Sequence, residues 1–424
     1  MKFKRVKGTF DILPEEYRLY KYVEYSLSSL AELYGYSGVE TPAFESLELL
    51  KAKNPSIVDQ IYWFKDKGGR EIGLRFDLTV PIARVIAENP QLPKPVRFYY
   101  FSKMWRYEEP QKLRYREFWQ FGVELIGSSS IQADAEVISL AIDCLRQFGL
   151  KFKVFVNDRI LLESILERLS IHKRLELFRI IDKREKLSSQ AFLSQLRAIG
   201  LSAQQIERLM KIIEIRGDIE RISMELEDLK SKKVEERLNV LKELVKLIEA
   251  YGSKNYLEFD LSVVRGLDYY TGIVFEIFSV EDNKRVGNAI CGGGRYDNLI
   301  EIYAKQRIPA TGFAIGVERL IELLKQTKSI PKEKKIKVLI ISDPETSILM
   351  RRKLMGVGII ALIDVMGRNL SKNLEFADKQ NIPYVIICKE LEKQKGVAKV
   401  RDMIRGREVE IELDRLETYF KQLL

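Results

Sequence analysis

The stretch WRYEEPQKLRYREFWQFGVE, residues 105–124, decides the fold of this chain. On both sides of Pro110 the side chains alternate in character, so that every second residue shares a face. This alternation predicts an antiparallel hairpin that packs one face on a core and keeps polar groups on the other. The polar face carries four side chains, those of Arg106, Glu108, Gln120 and Glu124.

The polar face of this hairpin has groups that suit a nucleotide bound beside a small polar molecule. A guanidinium forks onto phosphate, whereas a carboxylate and an amide orient an amine or a ring nitrogen. The loop between the arms adds three cations, Lys112, Arg114 and Arg116. From this segment alone, a solvated strand face with ordinary ion pairs is an equally good interpretation.

A second alternating segment, LRFDLTVP at residues 74–81, predicts another extended stretch. Parity places Arg75, Asp77 and Thr79 on one face and apolar residues on the other. Asp77 and Thr79 are then available together as hydrogen-bond acceptors. A buried structural pair of Asp77 with Arg75 is the competing interpretation.

Two glycine-containing segments carry further candidate residues. In VVRGLDYYTGIVFE, residues 263–276, Arg265 stands beside a glycine, and Tyr269 and Tyr270 follow it. In CGGGRYDNL, residues 291–299, three glycines let the backbone pass close to a ligand or turn sharply. Tyrosines beside a strand more often belong to a core, and a glycine run alone is a weak phosphate signal.

Taken in order, these segments resemble the histidyl-tRNA synthetase family of class II aminoacyl-tRNA synthetases. The hairpin stretch is similar to class II motif 2, and RGLDYYTG and GGGRYD resemble the two signatures that distinguish the histidine enzymes. The other matching segments are KGTFDILPEE (7–16), LRFDLTVPIAR (74–84) and ATGFAIGVERL (310–320). The resemblance covers nearly the whole chain, and Asp77, where many bacterial members have glutamate, favours the archaeal and eukaryotic branch.

The resemblance implies roles for individual residues. Arg265 and Arg106 would be the catalytic arginines on the ATP α-phosphate, with Arg265 also on the histidine carboxylate. Asp77 and Thr79 would hold the α-ammonium group. Glu124 and Tyr270 would face the two imidazole nitrogens. The implied histidine site comprises Asp77, Thr79, Gln120, Glu124, Arg265, Tyr269, Tyr270 and Gly293, with Arg295, Tyr296 and Asp297 lining the pocket. The implied ATP site comprises Arg106, Glu108, Arg114, Phe118, which stacks on adenine, and Arg319, which binds the γ-phosphate.

The reaction implied by the resemblance is ATP-dependent activation of L-histidine to histidyl-adenylate and its transfer to the 3′ end of histidine tRNA. ATP and Mg²⁺ enter as a substrate complex, the sequence identifies no magnesium ligands, and no permanent cofactor is implied. The chain has a single histidine, His172, which is predicted to lie at the surface. A mechanism that uses a histidine side chain as general base is therefore disfavoured. Members of the family form homodimers, which would place Thr41 and Pro42 near a two-fold axis.

The predicted fold class is α/β (α+β), in two domains. Residues 1–329 would form a class II catalytic domain around an antiparallel sheet, and residues 334–424 an α/β anticodon-binding domain with a partly parallel sheet. Residues 150–251 have a helical composition, predicting a helical insertion at about 160–252, with strand signals resuming at Tyr256. A helix is predicted over 14–34, with an inward stripe of Leu19, Val23, Leu27, Leu30 and Leu33.

Charge and cysteine content agree with this function without proving it. A formal net charge of +10 suits a polyanion such as tRNA. Cys144, Cys291 and Cys388 lie far apart without a CxxC pair, which favours a reducing compartment over a disulfide framework or a zinc site. Without a signal-peptide pattern or an apolar run of the ~20 residues that span a bilayer, we expect a cytoplasmic protein with no membrane partner.

Two other functional classes compete with the synthetase. A catalytically silent paralogue, the regulatory subunit of ATP phosphoribosyltransferase, keeps the class II fold. Such regulators generally lack the anticodon domain and lose the catalytic arginines, whereas this chain retains Arg106, Arg265 and Arg319. A general nucleic-acid-binding module would show no dependence on histidine at all.

The chain also departs from the bacterial pattern of the family. Glu109, Leu113 and Trp119 stand where arginine, glycine and histidine are common. Leucine in place of glycine predicts a stiffer motif 2 loop.

Overall fold

The computed structural model describes residues 3–52, 55–184, 187–266, 269–282, 284–327 and 336–423. The chain divides into two compact units, Met1–Ile330 and Pro331–Leu424. Among the described residues, no helix is both long and apolar enough to cross a bilayer.

A nine-stranded sheet lies at the centre of the first unit. In the described residues, the strands of this unit are β1 (Ser37–Gly38), β2 (Phe44–Ser46), β3 (Trp63–Lys65), β4 (Glu71–Leu74), β5 (Val96–Trp105), β6 (Glu117–Ile126), β7 (Phe152–Asp158), β8 (Arg216–Gly217), β9 (Leu257–Asp260), β10 (Ile273–Glu281), β11 (Lys284–Arg295) and β12 (Ala310–Gly316). The large sheet has the order β1-β5-β6-β12-β11-β10-β7-β9-β8, and β2, β4 and β3 form a small sheet. Neighbours in the large sheet are antiparallel except β1 with β5 and β7 with β9, which confirms the predicted architecture.

The predicted hairpin consists of β5 and β6, whose antiparallel register runs from Val96 opposite Ile126 to Trp105 opposite Glu117. Its first arm is shorter than predicted, because β5 ends at Trp105 and leaves Arg106 and Glu108 in the connecting loop. Strand β12 pairs with the other edge of β6. The hairpin therefore lies within the nine-stranded sheet. Of the predicted polar residues, only Gln120 and Glu124, on its second arm, are part of a strand.

Twelve helices surround this sheet in the described part of the first unit. They are α1 (Pro14–Leu33), α2 (Leu47–Lys51), α3 (Thr79–Glu88), α4 (Ile131–Arg146), α5 (Arg159–Arg168), α6 (Arg174–Asp182), α7 (Ser189–Ala198), α8 (Ala203–Ile213), α9 (Ile219–Glu225), α10 (Lys232–Ala250), α11 (Glu301–Ala304) and α12 (Val317–Thr327). The main hydrophobic core joins α1, α4, α5 to α10 and α12 to the sheet.

Helix α1 follows the prediction at its start and end but not along its whole stripe. Pro14 occupies the first turn, and the helix ends just before Gly35, which adopts a φ of 83°. Val23 and Leu27 are buried as predicted, but Leu33 is 84% exposed. At 3.6 residues per turn, Leu33 lies about 120° around the helix from Leu27, so it leaves the buried face.

The region predicted to be helical begins with a strand. β7 pairs with β10 and β9 inside the central sheet, and its last five residues are buried. Its sequence FKVFVND is rich in aromatic and β-branched residues, as in a strand covered on both faces, but the average composition of residues 150–251 hid it. Six described helices, α5 to α10, follow it, together with the short strand β8. His172 lies between α5 and α6 and is exposed, as predicted.

The second unit is a mixed α/β module. Its described elements are β13 (Lys337–Ser342), α13 (Pro344–Gly356), β14 (Ile360–Ile363), α14 (Leu370–Lys379), β15 (Tyr384–Cys388), α15 (Glu390–Gln394), β16 (Val397–Asp402), β17 (Arg407–Glu412) and α16 (Leu416–Lys421). The sheet order is β14-β13-β15-β16-β17. The first three strands are parallel and the last two antiparallel, which confirms the predicted partly parallel sheet.

Candidate active site

A narrow cavity of about 50 Å³ opens on one face of the central sheet. Its lining residues are Asp77, Thr79, Tyr100, Arg106, Gln120, Glu124, Arg265, Tyr269, Tyr270, Gly292, Tyr296, Gly312, Phe313 and Ala314. Nine of them were predicted to lie at the site: Asp77, Thr79, Arg106, Gln120, Glu124, Arg265, Tyr269, Tyr270 and Tyr296. The fold thus brings four distant predicted segments into one small-molecule site.

Glu124 is the buried carboxylate at the base of this cavity, with an exposed fraction of 2%. The Thr79 hydroxyl donates a hydrogen bond of 2.7 Å to Oε1, and the Tyr296 hydroxyl donates to Oε2. Burial raises the pKa of Glu124 to about 8, against the lowering effect of both hydroxyl donors. Because both oxygens already accept from protein hydroxyls, the carboxylate is oriented to accept further hydrogen bonds.

Asp77 supplies a second carboxylate to the cavity. Its Oδ1 accepts the Val80 backbone N–H at 3.2 Å, while its Oδ2 is buried without a partner among the described residues. Burial raises the pKa of Asp77 above its ordinary value. A buried acceptor that lacks a donor is costly unless a ligand supplies one, so Asp77 is suited to a cationic group.

The strand predicted for LRFDLTVP is wrong. β4 ends at Leu74, and Thr79 is already the first residue of α3. Arg75 does not share a face with Asp77, because its guanidinium lies 2.7 Å from Glu40 and donates to the Thr41 carbonyl. The competing Asp77–Arg75 pair is therefore absent from the described structure, and the strand-to-helix turn presents Asp77 and Thr79 together.

Glycines form part of the cavity floor. A Cβ at Gly312 would lie 2.1 Å from Glu124 Oε2, and a Cβ at Gly292 would lie 2.1 Å from Arg265 Nη1. The cavity wall includes Gly292 and not the predicted Gly293. Alternate residues of a strand face opposite sides, and a Cβ at Gly293 would meet Phe313 and Phe275 instead.

Arg265 reaches the cavity from a backbone in the left-handed region, with a φ of 55°. Its Nη1 lies 2.7 Å from Glu276 Oε1, and its guanidinium carbon lies 5.8 Å from the centroid of the Tyr270 ring. Burial by itself lowers the pKa of Arg265, but Tyr270 and Glu276 outweigh it and raise the pKa. Residues 267 and 268 of the RGLDYYTG signature lie outside the described residues.

Three of the predicted ATP residues, Arg106, Arg114 and Arg319, form one group with Arg265. The Arg106 guanidinium carbon lies 5.1 Å from the centroid of the Phe118 ring, and its Nε donates to the Phe76 carbonyl at 3.0 Å. Burial and the positive charges of Arg114, Arg106 and Arg265 together lower the pKa of Arg319 to about 10. A guanidinium with three others close enough to repel it favours a polyphosphate ligand.

Other predicted residues occupy different surroundings. Glu108 lies outside the cavity wall, at 3.9 Å from Arg114 in the hairpin loop. Arg295 was expected to line the amino-acid pocket, but its guanidinium binds Asp134 at 2.7 Å and Asp297 at 3.1 Å. Arg295 and Asp297 therefore join α4 to the end of β11 and do not face the cavity.

Several residues of the cavity had a weak signal in the sequence or none. Tyr296 was expected only to line the pocket, yet its hydroxyl bonds Glu124. Tyr100 shares the parity of the polar hairpin face, and its ring occupies the space above Gly122. Gly312 lies within β12, and nothing in its local sequence marks its contact with Glu124.

The hairpin loop shows the consequence of one departure from the bacterial pattern. Leu113 has a φ of 59°, in the left-handed region where glycine is favoured. A backbone that suits glycine is therefore retained here with a leucine side chain.

Comparisons with known proteins identify the family of this chain. A family model described as histidyl-tRNA synthetase matches residues 8–320. The chain is also 41% identical to the histidine-tRNA ligase of Pyrococcus horikoshii over 99% of both chains. The chain belongs to the histidyl-tRNA synthetase family. The ligase of Thermococcus kodakarensis is 41% identical to it, with 97% of this chain and 96% of that protein covered, in agreement with the predicted archaeal branch.

Solved structures of the family share the whole fold. Histidyl-tRNA synthetase from Nostoc sp. PCC 7120 superposes with a TM-score of 0.82 at 25% identity, covering 100% of both chains. A protein from Bacillus halodurans described as an ATP phosphoribosyltransferase regulatory subunit/histidyl-tRNA synthetase gives a TM-score of 0.77 at 28% identity, covering 92% of this chain and 99% of that one. A second family model, described as an anticodon binding domain, matches residues 336–423.

Proposed function

We propose that this chain is a histidine-tRNA ligase that activates L-histidine with ATP and transfers it to the 3′ end of histidine tRNA. One observation carries the proposal: one cavity is lined by both a hydroxyl-held carboxylate, Glu124, and a guanidinium, Arg265. The first suits an imidazole ring and the second suits a carboxylate or a phosphate.

Histidine recognition rests on the carboxylate end of the cavity. Glu124 accepts an imidazole N–H, and the Tyr270 hydroxyl faces the other ring nitrogen. Asp77 accepts the α-ammonium group at its unpartnered Oδ2. Thr79 serves both groups, since its hydrogen goes to Glu124 and its lone pairs remain free to accept from the ammonium. Gln120 and Tyr269 complete the wall, and a side chain without two polar ring atoms leaves these groups unpaired.

Activation of histidine takes place at the arginine end. The substrate carboxylate attacks the α-phosphorus of ATP, the bond to the β-phosphate oxygen breaks, and pyrophosphate leaves. Arg265 and Arg106 stabilise the negative charge that builds on the α-phosphate oxygens, while Arg319 holds the γ-phosphate. Phe118 stacks on adenine, and Glu108 and Arg114 contact ATP from the hairpin loop. Magnesium arrives with ATP as part of the substrate.

Transfer to tRNA uses the rest of the chain. A terminal ribose hydroxyl attacks the carbonyl carbon of histidyl-adenylate, and AMP leaves. The second unit matches an anticodon binding domain, and the net charge of +10 suits an RNA partner. We place the reaction in the cytoplasm, where ATP, histidine and tRNA meet and where buried free thiols such as Cys144 and Cys291 stay reduced.

A homodimer accounts for apolar side chains that the first unit leaves in solvent. Tyr25 and Leu33 on α1 are exposed, and Phe44, Trp63 and Phe64 of the small sheet are about half exposed. Exposed apolar groups of this size mark association surfaces when they cluster. Sedimentation of the purified chain at twice its monomer mass supports the dimer, and a monomer at micromolar concentration contradicts it.

Charging of tRNA tests the proposed function directly. Purified chain, ATP, Mg²⁺ and labelled L-histidine are incubated with a histidine tRNA transcript and, as a control, with a transcript of another specificity. We expect labelled histidine on the histidine tRNA alone. Histidine binding without any transfer would instead identify a regulatory paralogue of the kind that the Bacillus halodurans description names.

A further inference from the structure

The guanidinium of Arg265 lies in a slot between two neighbouring strands. Glu276 on β10 stands directly opposite Gly292 on β11. Glu276 provides the wall, at 2.7 Å from Nη1, and Gly292 provides the floor, where a Cβ would approach Nη1 to 2.1 Å. Both charged side chains are mostly buried, with exposed fractions of 21% for Arg265 and 22% for Glu276. The slot therefore fixes one particular edge of the guanidinium.

The bond to Glu276 leaves the opposite edge of the guanidinium for a ligand. A guanidinium presents Nε–H and one Nη–H side by side as a fork that matches two oxyanion oxygens. Glu276 occupies Nη1, which is the nitrogen away from that fork. Nε is buried and has no partner among the described residues, and Arg265 lines the cavity. An unpaired buried donor at this place points to an oxyanion as its partner.

Two features of Arg265 favour a fixed carboxylate partner such as Glu276. Its backbone has a φ of 55°, a left-handed conformation that is strained for a residue with a Cβ. It also lies close enough to Arg319 for their positive charges to repel, as do Arg106 and Arg114. A single counter-charge on the far side of Arg265 offsets this repulsion and fixes the rotation about the Cδ–Nε bond.

We propose that Glu276 is a positioning residue that turns the Nε and Nη2 edge of Arg265 toward the substrate carboxylate and the α-phosphate. This inference rests on the proposed function, because it assigns the same two oxyanions to Arg265. Glu276 itself contacts neither substrate. It acts through Arg265, so its loss misaligns the fork without removing the positive charge.

The test compares Glu276→Gln with Glu281→Gln, a matched control on the same strand. Glu281 lies at the exposed end of β10, away from the cavity. We expect Glu276→Gln to lower kcat/KM for histidine in pyrophosphate exchange by about 10- to 100-fold, since a 1 Å misplacement has effects of this size. Glu281→Gln should match the wild type, and thermal unfolding should show both variants folded.

A ligand pair separates positioning from a general structural effect. L-histidinol carries CH₂OH in place of the carboxylate and cannot use the Arg265 fork. By calorimetry, Glu276→Gln should weaken histidine binding and leave histidinol binding unchanged. Equal weakening of both ligands would overturn the proposal, and so would exchange at wild-type kcat and KM. Gly292→Ala adds a Cβ that displaces the same Arg265 guanidinium. It should reproduce the histidine-selective loss of binding even if Glu276→Gln fails to fold.

A double-mutant cycle closes the test. In an Arg265→Ala background, Glu276→Gln should change exchange no further, because a residue that acts only through Arg265 has nothing left to position. An additional loss in that background would contradict the proposal. Wild-type exchange serves as the reference: if the wild type fails to exchange with histidine, the proposed function fails, whereas an active wild type with an unaffected Glu276→Gln contradicts only the role of Glu276.

Discussion

We call Asp77 and Glu124 the acidic end of the site and Arg106, Arg265 and Arg319 its basic end, and the two are held in different ways. At the acidic end, the hydroxyls of Thr79 and Tyr296 bind Glu124, and burial raises its pKa to about 8. At the basic end, burial and neighbouring guanidiniums lower the pKa of Arg319 to about 10. Each end is therefore electrostatically incomplete by itself. The acidic end gains from an N–H donor, and the basic end gains from a polyanion, which are the two substrates of the proposed reaction.

The sharpest test of this comparison removes Arg265, the basic group that we propose binds both substrates. Arg265→Ala should lower pyrophosphate exchange by about 10²- to 10³-fold or more, because a donor to the developing oxyanion is lost. Histidine binding should weaken as well, since the same guanidinium holds its carboxylate. Circular dichroism and thermal unfolding check that the variant keeps the wild-type fold. Exchange at the wild-type rate would remove Arg265 from the catalytic site.

The acidic end is tested alone by Glu124→Gln. The amide has nearly the same shape, but it offers one acceptor oxygen and an NH₂ that conflicts with the Thr79 or Tyr296 hydroxyl. We expect kcat/KM for histidine to fall by about 10²-fold with the KM for ATP nearly unchanged, because buried polar groups are left mismatched. A variant that loses ATP and histidine affinity equally would show that the two ends are not separable.

The basic end is tested alone by Arg319→Ala. Loss of a charge-assisted contact to phosphate is worth about 1.5 to 3 kcal/mol, or roughly a 10- to 150-fold rise in the KM for ATP. Histidine affinity measured without ATP should remain at the wild-type value. An unchanged KM for ATP would exclude Arg319 from the nucleotide site.

The raised pKa of Glu124 predicts a smaller effect on the pH dependence of stability. The pKa of Glu124 is about 8 in the folded chain, whereas the ordinary value for a glutamate side chain is 4.5. A raised folded pKa means that its contribution is fully present below about pH 4.5 and is lost as the pH rises toward 8. Urea unfolding of Glu124→Gln should therefore show a shallower loss of stability between these pH values than the wild type. Parallel curves would show that Glu124 ionises as an exposed carboxyl does.

The local sequence pattern was sufficient to predict structure where the side chains of a segment alternate with a single period. Parity found the β5 and β6 pairing and put Gln120 and Glu124 on the cavity side, because a strand with one packed face has a period of two.

Prediction from sequence failed where tertiary contacts determine the backbone conformation or the partner of a side chain. LRFDLTVP alternates like a strand, yet the chain turns into α3 at Thr79, because every side chain from Arg75 to Thr79 is buried and parity no longer reports a face. Gly292 and Gly293 are equivalent by sequence, and only the pairing of β11 with β10 puts Gly292 beneath Arg265. The partner of Arg295 is Asp134, which lies on α4, far away along the chain.

Pyrophosphate exchange with ATP tests the central claim most directly. Purified chain with Mg²⁺ and ATP is assayed with L-histidine and, separately, with each other protein amino acid. Exchange that depends on histidine alone is the predicted result, because it requires both ends of the cavity to act on one substrate. Histidine binding without exchange, or exchange with several amino acids, would contradict the claim that one cavity selects histidine and activates it.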